Sequence, residues 1–155
     1  MDYKYAYDGN EDNTAKVFAR DLGISTKTSV EICNFLRGKN TEKAKLLLGY
    51  VIAKERPIPM KRYNMDTAHK RGSGIAAGKF PIKAAEHILN VIKSAESNAV
   101  DKGLSVKELY IKHISAHQAS RPWHYGRQRG RKMKRTHIQI VLGEKKPKKD
   151  KETKK

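Results

Sequence analysis

The chain has 155 residues, enough for one domain of moderate size. Lysine and arginine number 34 against 16 acids, a net charge of +18, and only 37% of residues are apolar. That balance excludes a membrane-spanning helix, because no apolar run approaches the roughly 20 residues one needs. It also argues against a neutral metabolic enzyme. So large a surplus of one sign repels itself until a polyanion relieves it. Nucleic acid is the expected partner, and an anionic membrane surface is the second choice. The single cysteine, Cys33, excludes an internal disulfide framework and a thiolate-rich zinc site. It reads as a small half-buried helix residue rather than a nucleophile.

Residues 1–14 carry four acids and one lysine and read as an acidic extension. Being acidic and polar, they resemble neither a signal peptide nor a basic transit segment, so a reducing cytoplasm is expected. One domain is then expected over 15–143. Ala15 to Arg20 alternates as a short strand, with Ala15, Val17 and Ala19 on one side. Ser25 suits an N-cap, and Val30, Cys33 and Leu36 follow at helical spacing until Gly38. Thr41 and Glu42 open a second helix with Ala44, Leu47, Leu48, Val51 and Ile52 on its apolar face; Pro57 and Pro59 forbid its continuation. Pro81 and Gly103 bracket a third helix, whose face is Ala85, Ile88, Leu89, Ile92, Ala95 and Ala99.

Leu109 to His117 and Thr136 to Leu142 read as two more strands. Paired antiparallel, they form a hairpin over 109–142 with its apex near Tyr125–Gly126. Each arm of some sixteen residues would reach roughly 50 Å at about 3.3 Å per residue. A hundred-residue body has a radius of gyration of only about 13 Å, so the hairpin must project. From Leu109 to Gly143 there is no acid, against eight lysines and arginines and four histidines. Isolated two-stranded ribbons are marginal in water, so the distal half needs an anionic support. Residues 144–155 are almost wholly Lys, Glu, Asp, Thr and Pro and read as a disordered tail. The fold class expected is α+β, with three helices on a small three-stranded antiparallel sheet and a long projecting hairpin.

Several patterns suggest chemistry that their context does not support. His113 and His117 have i, i+4 spacing, but they fall in a strand and lack the glutamate of a zinc-protease helix. Gly72-Ser73-Gly74-Ile75-Ala76-Ala77 fits a loose dinucleotide fingerprint, but no hydrophobic strand precedes it. Gly78-Lys79 is followed by Phe80, not the Ser or Thr of a phosphate-binding loop. No nucleophile–base set occurs and no carboxylates are paired in a catalytic pattern, so neither an enzyme, a metal nor a cofactor is expected.

What remains is a set of residues suited to RNA. Arginine forks bind phosphate and stack on bases, and Trp123, His124 and Tyr125 offer flat faces to unpaired bases. At the hairpin the expected contacts are Arg121, Trp123, His124, Tyr125, Arg127, Arg129, Gly130, Arg131, Lys132, Lys134 and Arg135. A second basic set is Lys61, Arg62, His69, Lys70, Arg71 and Lys79, where Gly72 lets backbone N–H groups approach phosphate. Lys27, Arg37 and Lys39 join it from around the first helix.

These residues also carry a resemblance. Arg127-Gln128-Arg129-Gly130-Arg131 followed by Lys134-Arg135-Thr136-His137-Ile138 is similar to the hairpin of the universal large-subunit ribosomal protein twenty-two family, counterpart of eukaryotic large-subunit protein seventeen. Arg37-Gly38-Lys39 and the run Lys93 to Ala99 match further family elements. The loop Ala68 to Ile75 resembles an insertion of archaeal and eukaryotic members. Gly126 stands where members usually have Pro. The resemblance covers Ala15 to Leu142 and implies the archaeal form of the family. It implies an α+β body near the exit of the peptide tunnel. It also implies a hairpin that threads large-subunit RNA, supports assembly and lines the tunnel opposite large-subunit protein four. The partners implied are ribosomal RNA, neighbouring ribosomal proteins and the nascent polypeptide, with the chain a monomer in the cytoplasmic ribosome. The alternative from charge alone is a non-ribosomal RNA- or DNA-binding or annealing protein.

Overall fold

The computed structural model describes residues 5–7, 9, 13–127 and 129–145. Most of the expected acidic extension, most of the Lys-rich tail and Gln128 lie outside the described residues. Three strands form the main sheet: β1 (Thr14–Leu22), β4 (Leu109–Gln118) and β5 (Thr136–Glu144), in the order β1-β5-β4, all antiparallel. Three helices cover its inner face: α1 (Thr26–Leu36), α2 (Thr41–Ile52) and α3 (Ile82–Asp101). Two short strands, β2 (Ile58–Pro59) and β3 (Gly78–Lys79), pair at the root of the insertion. α3 lies on β1 and β5, α1 packs on β4, and α2 packs chiefly on α3. The α+β architecture expected from the sequence is the one observed. Glu144, the first residue of the expected tail, still pairs in β5.

The register places inward-facing residues in rows across the sheet. Ala15, Leu142 and Ile111 form one row, Val17, Ile140 and Ile114 the next, and Ala19, Ile138 and Ala116 the third. A β-bulge between Ile111 and His113 makes this possible. Without the extra residue, strict alternation from Leu109 and Ile111 would turn His113 inward. The bulge re-phases β4, so Ile114 enters the core and His113 turns to the outer face. β5 is buried along most of its length because the outer face is covered too. There the Ala6 N–H donates to Gln139 Oε1 at 2.9 Å, and the Tyr5 and Tyr7 rings rest against Phe18 and His113.

Both free edges of the sheet are tied down, as exposed strand edges require. On the β1 side, Asn98 Nδ2 of α3 and Lys102 Nζ just past its end donate to the Lys16 and Thr14 carbonyls, both at 3.0 Å. On the β4 side, the Arg37-Gly38-Lys39 turn exchanges backbone bonds with Ile111 at 2.9 and 2.8 Å. Gly38 has a φ of +76°, a left-handed conformation that favours glycine. Cys33 is fully buried rather than half-buried, and burial pushes its thiol up to about 12, so it is inert.

Candidate nucleic-acid interface

Regular pairing of the hairpin stops at Gln118 and Thr136. Thr136 fixes that point to the body, because its Oγ1 donates to the Ile24 carbonyl at 2.9 Å and lies 2.8 Å from Thr26 Oγ1. Beyond it the arms are held by separate contacts. The Ala119 N–H donates to Arg135 O, the Met133 N–H to Pro122 O and the His124 N–H to Arg131 O, and Trp123 bridges to Lys132. These pairs correct the expectation in two respects. The apex falls near Arg127 rather than Tyr125–Gly126, and the distal arms are not continuous strands. The physical reason is that no apolar face lies beyond Ala119. Every described residue from Ser120 to Lys132 is exposed.

At the tip, Gly126 has a φ of +99°, closed to proline, whose ring fixes φ near −65°. Arg129 Nε donates to the Gly126 carbonyl at 3.1 Å, bracing the turn. Trp123 is 57% and Tyr125 89% exposed. Lys132 Nζ sits 4.5 Å from the centre of the Trp123 ring. Trp123, His124, Tyr125, Arg129 and Gly130 line an open hollow of about 570 Å³. Arg127 and Arg131 flank it in sequence, both exposed.

The neck of the hairpin meets the body at two clefts. Ser25, Thr26, Lys27, Gln118, Arg121, Lys134 and Arg135 line one of about 360 Å³. Gly23, Lys83, His124, Arg131, Lys132, Met133, Lys134 and Arg135 line the other, of about 440 Å³. The structure therefore brings Lys27 of α1 to the hairpin residues, far from it in sequence. Lys83 and Gly23 were not anticipated. Lys83 lies in the first turn of α3, and only the packing of that helix beside the neck reveals it.

The second basic set is arranged around a buried carboxylate. Glu31, 1% exposed, accepts the backbone N–H groups of Arg62 and Tyr63 through Oε1, each at 2.7 Å. The Tyr63 ring is flanked by Lys27 Nζ at 5.8 Å and the Arg62 guanidinium at 5.4 Å. Lys27 thus joins the neck to the insertion. Lys39 lies 4.9 Å from the Phe35 ring centre. Partial burial, then the charges of Lys43, Arg56 and Lys61, hold its ammonium below the usual lysine range. Lys43 and Arg56 were missed by the sequence reading; Lys43 lies only four residues on, whereas the fold alone brings Arg56 near Lys39. Arg37 points its Nη2 to the Ile114 carbonyl at 3.1 Å, so it is partly engaged within the body. Arg71 and Gly72 line a hollow with Tyr50, Glu55, Arg56 and Ile75, while Lys70 packs beside Gly78 and His69 bridges to Ala77. Lys79, in β3, is exposed.

The two histidines spaced like metal ligands are engaged with other partners. His117 Nε2 lies 2.9 Å from Ser115 Oγ, while His113 faces Tyr7. Among the described residues, no three His, Cys, Asp or Glu side chains are grouped to hold a metal. Among the same residues, no helix is long and apolar enough to cross a membrane.

The family model described as ribosomal protein L22p/L17e matches residues 17–143. A large ribosomal subunit protein uL22 of Methanopyrus kandleri is 42% identical over 142 residues, covering 87% of this chain and 89% of that protein. Its namesake from Methanococcus maripaludis is 39% identical over 147 residues, covering 91% and 96%. The Ignicoccus hospitalis protein is 38% identical over 144 residues, covering 87% and 91%. With the matched span running from β1 to the end of β5, the chain belongs to the ribosomal protein L22p/L17e family.

Proposed function

We propose that this chain is a structural component of the large ribosomal subunit in the cytoplasm, and that its hairpin and insertion hold large-subunit RNA. The observation that carries the reading is the distal hairpin. It is acid-free and solvent-exposed, it bears open rings at its tip, and too few internal contacts hold it without a partner. The family is structural and non-enzymatic, and its archaeal relatives carry the large-subunit name.

The mechanism has three steps. Lysines and arginines of the tip, neck and insertion displace counterions from RNA, so affinity falls steeply with salt. Trp123 and Tyr125 stack on unpaired bases and set register. The distal hairpin orders on RNA, which couples folding to subunit assembly. In the assembled subunit the tip lines the peptide exit tunnel opposite large-subunit protein four, beside the nascent polypeptide, with one copy per ribosome.

Ultraviolet crosslinking of large subunits washed in high salt tests this. The expected result is crosslinks from residues 120–135 to tunnel-wall RNA. Loss of the protein in the wash, with crosslinks scattered over many RNAs, would overturn the reading in favour of a general RNA binder. Arg127, Arg129 and Arg131 replaced together by Ala should weaken incorporation while the helices stay folded.

A further inference from the structure

The two neck clefts share a wall. Lys134 and Arg135 line both, with Lys27 and Arg121 on one side and Lys83, Arg131 and Lys132 on the other. No carboxylate lines either cleft, and none of these cations forms an ion pair among the described residues. Two charges converge at Gly23. A β-carbon there would lie 3.5 Å from Arg135 Nη1 and 3.9 Å from Lys83 Nζ. Arg135 is held in that position by its bond to the Asp21 carbonyl, at 3.3 Å. Like charges gathered at one spot are unfavourable alone and favourable with an anion between them. The neck itself is weakly attached. Past Thr136 its backbone is joined by separate hydrogen bonds, and the surfaces facing it across the clefts are polar and cationic.

We infer that the paired clefts form a clamp for an RNA backbone segment that crosses the return strand at Lys134–Arg135, seating successive phosphates on its two sides. Lys27 and Lys83 supply the body's half of the clamp. The consequence is directional. Phosphates bridging α1 and α3 to the neck fix the angle at which the hairpin leaves the body, whereas the tip governs what it touches at its far end. This rests on the RNA-binding reading above and adds to it a role for body residues in aiming the hairpin.

The test uses the full chain and deproteinised large-subunit RNA from Methanococcus maripaludis. Lys27→Gln, Lys83→Gln and their double variant are compared with Lys107→Gln, an equal charge change in the exposed turn preceding β4, lining neither cleft. Circular dichroism confirms that each folds. Each single clamp variant should lower the slope of log affinity against log salt by about 1 and the double variant by about 2, and the Lys107 control should leave it unchanged. Spin labels at Pro122→Cys and Leu46→Cys, both exposed and lining neither the tip hollow nor the neck clefts, in a Cys33→Ala background, then report hairpin direction. On RNA the otherwise wild-type chain should give one narrow distance and the double variant a broad distribution. An unchanged salt slope, or an equally narrow distance in the double variant, would overturn the clamp. A wild-type chain with no preference for large-subunit RNA over unrelated RNA of equal length would instead overturn the reading beneath it.

Discussion

Glu31 shows how one side chain organises a basic surface. Its carboxylate is buried, yet it is matched by two backbone N–H donors at 2.7 Å, so it anchors the loop carrying Arg62 and Tyr63. Glu31→Ala would strand both donors and should cost about 1–3 kcal/mol. Glu31→Gln keeps an acceptor oxygen and should cost less. Urea melts measure the difference, and amide exchange at Arg62 and Tyr63 should speed up in the Ala variant alone. His113 makes the opposite case. Its Nε2 is buried without a partner, and burial first, then Arg37 and His117, holds its pKa below the ordinary 6.5. Lys112 and the Tyr7 ring also face this region, and neither can accept a proton bond as a carboxylate would. With the folded pKa depressed, the unfolded chain takes up a proton first as pH falls below 6.5. The stability contribution is therefore full above that value and declines toward pH 5. A thermal-melt series from pH 7.5 to 5 should show a shallower decline for His113→Gln, and an equal decline would refute the assignment. Neither residue's role is visible in the sequence. Glu31 looks like any charged helix position, and His113 looks like half of a metal pair.

At the scale of elements, helical spacing carried the reading well. The apolar faces expected for α2 and α3 are the faces that pack, with Ile52 and Leu89 at the margin of the core. Pro81 and Gly103 do bracket α3, and Gly103 adopts a φ of +73°. The alanines of α3 have a structural reason: Ala85, Ala95 and Ala99 are fully buried where the helix lies close on β1 and β5. Ala95→Leu should therefore overpack that contact and cost about 1–3 kcal/mol, read as a lower denaturant midpoint. Full stability in that variant would mean the helix has room to move. What the sequence could not show was set by distant partners. The bulge before His113 depends on β4's register against β5, and the burial of Val141 and Gln139 depends on residues 5–7 crossing the outer face. The neck clefts depend on α1 and α3 reaching the hairpin. The apex was misplaced by one to two residues because the pairing extends to Glu144 rather than ending at Leu142, and because β4 holds one extra residue.

The whole molecule carries +18, and among the described residues no carboxylate lines the neck clefts where its cations gather. Self-repulsion of this kind weakens the compact state, and any polyanion that binds only the folded form stabilises it. The isolated chain should melt several degrees higher as sodium chloride rises from 20 to 300 mM, or when heparin is added at low salt. A melting temperature that falls under both treatments would show that the charges are already balanced within the fold. The strand order has a separate consequence for how the chain is made. Among the described residues β5 follows every other element in sequence, yet it is the middle strand, joining β1 at one edge to β4 at the other. Thr14 cannot find Gly143 until nearly all the described chain has been synthesised. During elongation the helices have no sheet to cover, and their apolar faces stay open beside a dense run of cations. Closure is thus a late, non-local event, which is slow in the way long-range strand pairing is slow. A fold closed by its central strand is vulnerable to aggregation, and to capture by stray nucleic acid, until that strand has been made.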